Sequence, residues 1–496
     1  MRSAPLVGLA VALASCLAAR AAAASEGSNS IFLGNEAALR AGAITAIAND
    51  GSAAWYNPAG LAKIKNTNLD VSLNMYGIRF REVREGHQVV FPDGVETMDL
   101  KDTRVYVVPS AVVFSKQFRP GLVGAVAVFV TESDTFGYAA ELRQRAGPIE
   151  ADGPEWVTDH RFDVQVNNRT YVAGPSLGFR IIPQLTMGFA LMGVFRDSSV
   201  SYQLYNHSRP PEAADAGPPG DYLLAETNRR VRNTQIGLFL SMGMQWAVTD
   251  HLDLGFTIRS PTLMFIRNPD ELQTESYTLN VPGEELARTY FPEVNTSLRA
   301  EFGMISNLRV DLGFAYHWKK VSLSVDGNIR PANPAVFPSP LFANPSFSLR
   351  TGALINLSDF VTLGTGVYMD RSGADPTRFV EDIDFYGLTL GLRLERKLWR
   401  RLIQGPKGWK ELAEGESWKR KKREDIYASK VSLSTTIGVR YGFGYGRATT
   451  TRFDLRLRPD EIADDNFPAE VVPLSTDFVH VFSHDLTFFL GSQITF

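Results

Sequence analysis

Cysteine is nearly missing from this chain: Cys16 is the only one in 496 residues. Residues 1–24 read as a secretory leader, with one early cation, Arg2, an apolar run from Val7 to Ala19, and an A-x-A site at Ala22-Ala23-Ala24 before Ser25. Removing that leader would leave a chain that cannot form a disulfide. Leu13-Ala14-Ser15-Cys16 also fits a lipoprotein cleavage box, in which Cys16 would carry the lipid, and the residues leave both readings open. Beyond the leader there is no run of about 18 apolar residues, which excludes a helical membrane span. A closed β-barrel is then the only way across a bilayer. A mean hydropathy of -0.10 with 21% charged residues does not oppose that, because each barrel strand is only half apolar. Charge of one sign is also lacking. With 51 basic against 54 acidic residues there is no electrostatic support for nucleic-acid binding. The seven histidines are scattered without metal-ligand spacing, and His317 falls where a hydrogen-bonded filler is expected. Gly442-Phe443-Gly444-Tyr445-Gly446 follows an alternating strand and opens no helix, so it is not a phosphate cradle. No nucleophile–base pairing stands out, so neither an enzyme nor a cofactor is expected.

What is present is alternation. From Leu69 onward, apolar and polar residues trade places at period two between turn signals. Ile236, Leu238, Leu240, Met242, Met244 and Trp246 make one apolar face; Leu308, Val310, Leu312, Phe314, Tyr316 and Trp318 make another, ending in the aromatic pair expected at a membrane interface. In the last strand Leu486, Phe488, Leu490 and Ile494 share a face, Phe489 is the exception, and the chain stops on the aromatic Phe496. That ending resembles the C-terminal signal of outer-membrane barrels. The strands fall near 69–80, 104–116, 121–132, 160–181, 185–206, 229–248, 252–267, 300–317, 321–330, 346–357, 360–371, 380–396, 430–446 and 480–496. The fold class is therefore all-β, an antiparallel transmembrane barrel of about 14 strands over residues 67–496. Connections after even-numbered strands are mostly tight, as at Ile182 to Gln184 and Ser358-Asp359; those after odd-numbered strands are mostly long, as at 207–228 and 268–299. Short periplasmic turns and long external loops produce that asymmetry. The segment 268–300 has room for an extra hairpin.

Ahead of the strands, Gly42 to Leu61 is a run of small residues leading into Asn57-Pro58-Ala59-Gly60. Small side chains let backbones approach closely, and Pro58 keeps Asn57 out of the helical region. With Gly42, Asp50, Ser52, Ala53 and Tyr56 in place before it, the motif resembles the N-terminal hatch of the FadL/TodX family. Those outer-membrane barrels import long-chain fatty acids and other hydrophobic molecules. The resemblance implies a hatch at 25–66 inside the lumen and passive passage of a hydrophobic or amphipathic small molecule. It also implies a Gram-negative outer membrane with its lipid as surroundings. Its third strand would bend inward beside the hatch and open a lateral exit. Gly121 and Gly124 are the bend-permissive residues there, although Gly124 also reads as room for a neighbouring aromatic.

Alternation names the inward residues. Arg180, Arg196, Arg259, Arg309, Arg350, Arg393 and Arg440 fall on polar faces, with Asp253, Asp311, Asp326 and Asp370. They read either as structural partners of aspartates and hatch or, for Arg180, Arg196, Arg259, Arg350, Arg393 and Arg440, as cations for a ligand head group. Val172, Met192, Val194, Leu354, Tyr368, Phe385 and Phe489 offer apolar lining. One periplasmic connection breaks the pattern. Residues 397–429 carry a basic run with Trp399, Trp409 and Trp418, at helical spacing in part, which fits a solvated loop or an element docking on the leaflet or on an acidic periplasmic protein. Such an insertion would also serve a scaffold or partner subunit of an envelope assembly that transports nothing.

Overall fold

The computed structural model describes residues 32–72, 75–108, 111–148, 155–210, 222–281, 284–290, 302–334, 343–375, 381–399, 430–454 and 474–495. The leader with Cys16, residues 25–31, nearly all of 397–429, and Phe496 lie outside them. Two short helices, α1 (Asn35–Leu39) and α2 (Ala53–Tyr56), and a 3-10 turn (Pro58–Lys63) precede nineteen strand segments. These are β1 (Asn68–Ser72), β2 (Met75–Phe91), β3 (Gly94–Val108), β4 (Ala111–Arg119), β5 (Leu122–Pro148), β6 (Glu155–Ile182), β7 (Leu185–Arg209), β8 (Tyr222–Ala247), β9 (Leu252–Arg259) and β10 (Thr262–Val281). There follow β11 (Glu284–Tyr290), β12 (Gly303–Ser306), β13 (Arg309–Trp318), β14 (Val321–Arg330), β15 (Ser346–Asn356), β16 (Val361–Asp370), β17 (Asp382–Trp399), β18 (Lys430–Asp454) and β19 (Leu474–Thr495).

Several segments continue one another. β1 with β2 pairs along β19 on one side and along β4 then β3 on the other; β9 with β10 runs along β8; β11, β12 and β13 run back along β10 and β9. Merged in this way, the nineteen segments make fourteen staves, and β19 against β1 and β2 closes the ring. The outward faces are those read from alternation. Leu238, Leu240, Met242 and Trp246, Leu312 to Trp318 at every second residue, and Leu486, Phe488 and Leu490 are all exposed large apolar side chains, as a lipid-facing belt requires.

The staves differ in height. β14, β15 and β16 have 10, 11 and 10 residues, about what a tilted strand needs to cross a bilayer. β5 to β8 have 27, 28, 25 and 26, so their far ends stand well beyond it. The two-residue turns at Pro120-Gly121, Pro183-Gln184 and Lys319-Lys320 mark the opposite, periplasmic end. Much of the sequence assigned above to external connections is therefore hairpin. β7 runs on to Arg209, β8 starts at Tyr222, β10 and β11 cover 262–281 and 284–290, and β2 with β3 fills 81–103. Above the bilayer an outward face has no need to be apolar, so the period-two signal fades there although the ladder continues.

Candidate functional site: the barrel lumen

Three layers fill the described lumen. At the periplasmic end the segment from Phe32 to Thr67 is bonded to inward groups around the wall. Asn57 is wholly buried; its Nδ2 donates to the carbonyls of Thr45 at 2.8 Å, Met244 at 3.0 Å and Phe256 at 3.4 Å, and its Oδ1 accepts from the Ala59 N–H at 3.2 Å. Pro58 follows because its fixed φ starts the 3-10 turn that Asn57 caps. From the wall, Gln245 Nε2 donates to Thr45 and Ala48 carbonyls, Arg259 to that of Trp55 at 2.7 Å, and Thr257 to that of Tyr56. Asp326 accepts from the Thr45 N–H at 2.7 Å and Asp70 from the Gly51 N–H at 3.0 Å. Such close seating needs wall positions without side chains. A Cβ on Gly243 would fall on the Asn57 amide and 3.0 Å from Pro58 Cδ, and one on Gly255 would fall 2.5 Å from Ala46 Cα.

The middle layer is ionic. Arg79 bridges Asp134 and Asp485, Arg81 bridges Asp134 and Glu381, and Arg440 reaches Asp485 at 3.4 Å, every member buried except the partly buried Glu381. The Tyr106 hydroxyl donates to Asp485 at 2.5 Å. Arg350 pairs with Asp370 at 3.0 Å beside Phe32, whose ring meets Tyr368 edge-on at 5.2 Å. Charges removed from water persist only when paired, and each of these guanidinium groups has at least one carboxylate partner.

Above it the tip of the β2–β3 hairpin bends inward. His87 touches β6, three staves away, and Thr451 of β18, two staves away on the other side. Residues 87–90 pair with 451–454 in the only parallel ladder among the described strands. Val89 and Phe91 are buried with Phe162, Phe136 and Phe453, and Arg145 lies 3.7 Å over the Phe91 ring while pairing with Asp93 and Glu96. Among the described residues no group of three potential metal ligands gathers.

No protein-family model and no curated protein matches this chain. Solved structures do. A Pseudomonas aeruginosa FadL homologue superposes at TM-score 0.55 with 14% identity, covering 94% of this chain and 98% of that one. The fold is that of the FadL family. Two further channels align at lower scores: the P. putida toluene transporter TodX, at TM-score 0.48 and 11% identity over 93% and 98% of the chains, and the monoaromatic hydrocarbon channel CymD, at 0.46 and 10% over 94% and 98%.

Within this FadL fold the arginines read from the sequence separate. Arg259 holds the Trp55 carbonyl and lies 3.8 Å over the Trp55 ring; Arg393 faces Glu36 at 3.6 Å; Arg350 and Arg440 belong to the ionic layer; Arg196 meets Glu132 at 3.5 Å. Arg180 is a correction, because it is exposed at the periplasmic rim, where its backbone N–H donates to the Gly121 carbonyl. Gly121 is a turn residue at φ +79, and Gly124 sits in an unbroken ladder between Lys116 and Leu177, its missing Cβ leaving room for the Phe118 ring. Against β6, the irregularities of β5 lie instead at Thr131, between Val130 and Glu132, and between Leu142 and Arg145. Another separates β1 from β2: buried positions are even-numbered through Ser72 and odd-numbered from Gly77 to Val83. The seven apolar residues named as lining, from Val172 to Phe489, are all buried. The sequence reading missed Gln245, the histidines of the mouth and the inward glycines. Glycine at inward parity inside otherwise apolar strands was the available signal for the last of these.

Proposed function

We propose that this protein is a passive outer-membrane channel for hydrophobic small molecules, long-chain fatty acids or similarly apolar compounds, with residues 25–66 as its hatch. The observation that carries the proposal is the apolar inward wall next to the N-terminal segment. Phe129, Val172, Met192, Val194, Phe239, Met264 and Ile305 occupy inward positions of β5 to β12, where a water-filled pore would carry polar groups. Trp55 belongs to the same wall. Its ring lies 5.7 Å from Phe129 and 6.1 Å from Phe239, and unlike Ala53, Ala54 and Tyr56 it keeps part of its surface open. An apolar solute gains about 25 cal/mol per Å² on leaving water for such a surface, and no energy source is needed to draw it down a gradient.

Reconstitution into liposomes tests this. Flux of a labelled long-chain fatty acid or of toluene should exceed that of protein-free vesicles, while a sugar of similar size stays excluded. Equal passage of the sugar would make the protein a water-filled pore. Flux of none of them would favour a scaffold subunit.

A further inference from the structure

We infer that the β2–β3 hairpin is an external lid latched by His87 and His160, and that acid releases it. The two rings bring Nε2 to Nε2 at 2.8 Å. Thr451 Oγ1 donates to the Gly86 carbonyl at 3.1 Å, so it accepts from His87 Nδ1 at 2.8 Å, which leaves His87 Nε2 as acceptor for an N–H on His160 Nε2. Both rings are neutral in that arrangement. His87 stacks on Phe162 with centroids 4.4 Å apart and planes 3° from parallel, and Phe453 covers His160 at 5.2 Å. A second proton on the pair would set two N–H groups against each other, and even the first puts a cation in an apolar layer.

Among the described residues, no acid is paired with either ring. From β5, Tyr138 donates to Glu381 and Arg145 is bound to Asp93 and Glu96 of the hairpin; Glu381, ahead of β17, also faces Arg81 of β2. From β7, Asn206 stands opposite His160, and from β18 the contacts are Thr451 and Phe453. Among the described residues, the groups acting on the two rings are His160 on His87 and Asn206 on His160, with no carboxylate. Both histidines stand above the bilayer: His160 is about 20 residues from the periplasmic end of β6, where a spanning strand uses about 9–11.

Burial lowers both. His87 is held well below the ordinary histidine range, and His160 is pushed down to about 4. A lowered value means that the closed form prefers the neutral ring. Closure is then fully favoured above the open-state value of about 6.5 and weakens as pH falls through the interval from there to about 4. At pH 5 the loss from His160 alone is roughly thirtyfold in the closed-to-open ratio.

Spin labels on the full chain in lipid nanodiscs, at Val95→Cys on the hairpin and Gln203→Cys on the outer face of β7, read the lid directly. We expect one distance at pH 7.5 and a second, longer population at pH 5, and no pH response after His87→Gln or His160→Gln. Each single variant is checked for heat-modifiable mobility, so that loss of folding is not mistaken for loss of response. An unchanged distance distribution at pH 5 in the parent protein, or a pH shift that survives in both variants, would overturn the latch. Neither outcome depends on which solute the barrel carries.

Discussion

Replacing Asn57 by Ala tests the seat of the proposed hatch most directly. The side chain bonds four backbone groups: the carbonyls of Thr45, Met244 and, at 3.4 Å, Phe256, and the N–H of Ala59. They do not suffer equally. Gln245 also donates to the Thr45 carbonyl, at 3.1 Å, so that group keeps a partner. The Ala59 N–H is left with none from the side chain, at a cost of about 1–3 kcal/mol for a buried orphan, and loss of the bond to Met244 adds about 1 kcal/mol. Together these give about 2–4 kcal/mol, or a factor of roughly 30 to 1,000 in the ratio of seated to displaced hatch. The wall ladders are untouched, so heat-modifiable mobility should persist while single-channel conductance in a planar bilayer rises. Asn57→Asp sharpens the test. It keeps an acceptor for Ala59 but turns a carboxylate toward three carbonyls, so it should open the channel at least as much as Ala despite its near-identical shape. If both variants assemble and neither changes conductance or solute flux, the amide does not hold the hatch and the reasoning fails.

Gly243→Val approaches the same contact from the wall. Its branched side chain would meet the Asn57 amide and Pro58, at a cost of about 1–3 kcal/mol from overpacking, and it should raise conductance less than additively with Asn57→Ala because both disturb one seat; full additivity in a double-mutant cycle would separate them. Gly124→Ala should leave solute flux unchanged. The nearest atoms its Cβ meets belong to the ring of Phe118, which is 64% exposed and free to swing aside, so a large loss of flux would return Gly124 to a gating role.

The membrane-crossing part of the barrel was legible in the sequence because lipid demands an apolar outward face at every second residue. Trp246, Trp318 and Leu390 are exposed as the alternation requires, and the fourteen staves follow. That demand ends with the bilayer, so alternation does not mark the upper half of β5, the last few residues at the upper ends of β6 to β8 or the β2–β3 hairpin as strand. Inward chemistry was legible only by parity. Parity placed Arg440 and Asp326 in the lumen but could not say that Arg440 would meet Asp485 and Asp326 the Thr45 N–H, since the partners lie 45 and 281 residues away in sequence. It also failed for Arg180, where the strand leaves the lumen at its rim. Asn57-Pro58-Ala59 was readable as a motif, whereas the Gln245 clamp on Thr45 and Ala48 has no local signal at all.

The ring closes between the first strand made and the last. Pairing β19 with β1 and β2 joins residues about 400 or more positions apart, so it carries the largest loop-closure cost and belongs at the end of assembly. Asn35 sits on that seam, accepting from Ser72 of β1 while lying against Gly491 of β19. A segment ringed by strands on all sides has to be in place before the last pair zips, or be shut out. Residues that fix the N-terminal segment in the lumen would therefore also be timing elements of biogenesis: a chain whose N-terminal segment arrives late would close empty, and that error could not be corrected without breaking the seam again.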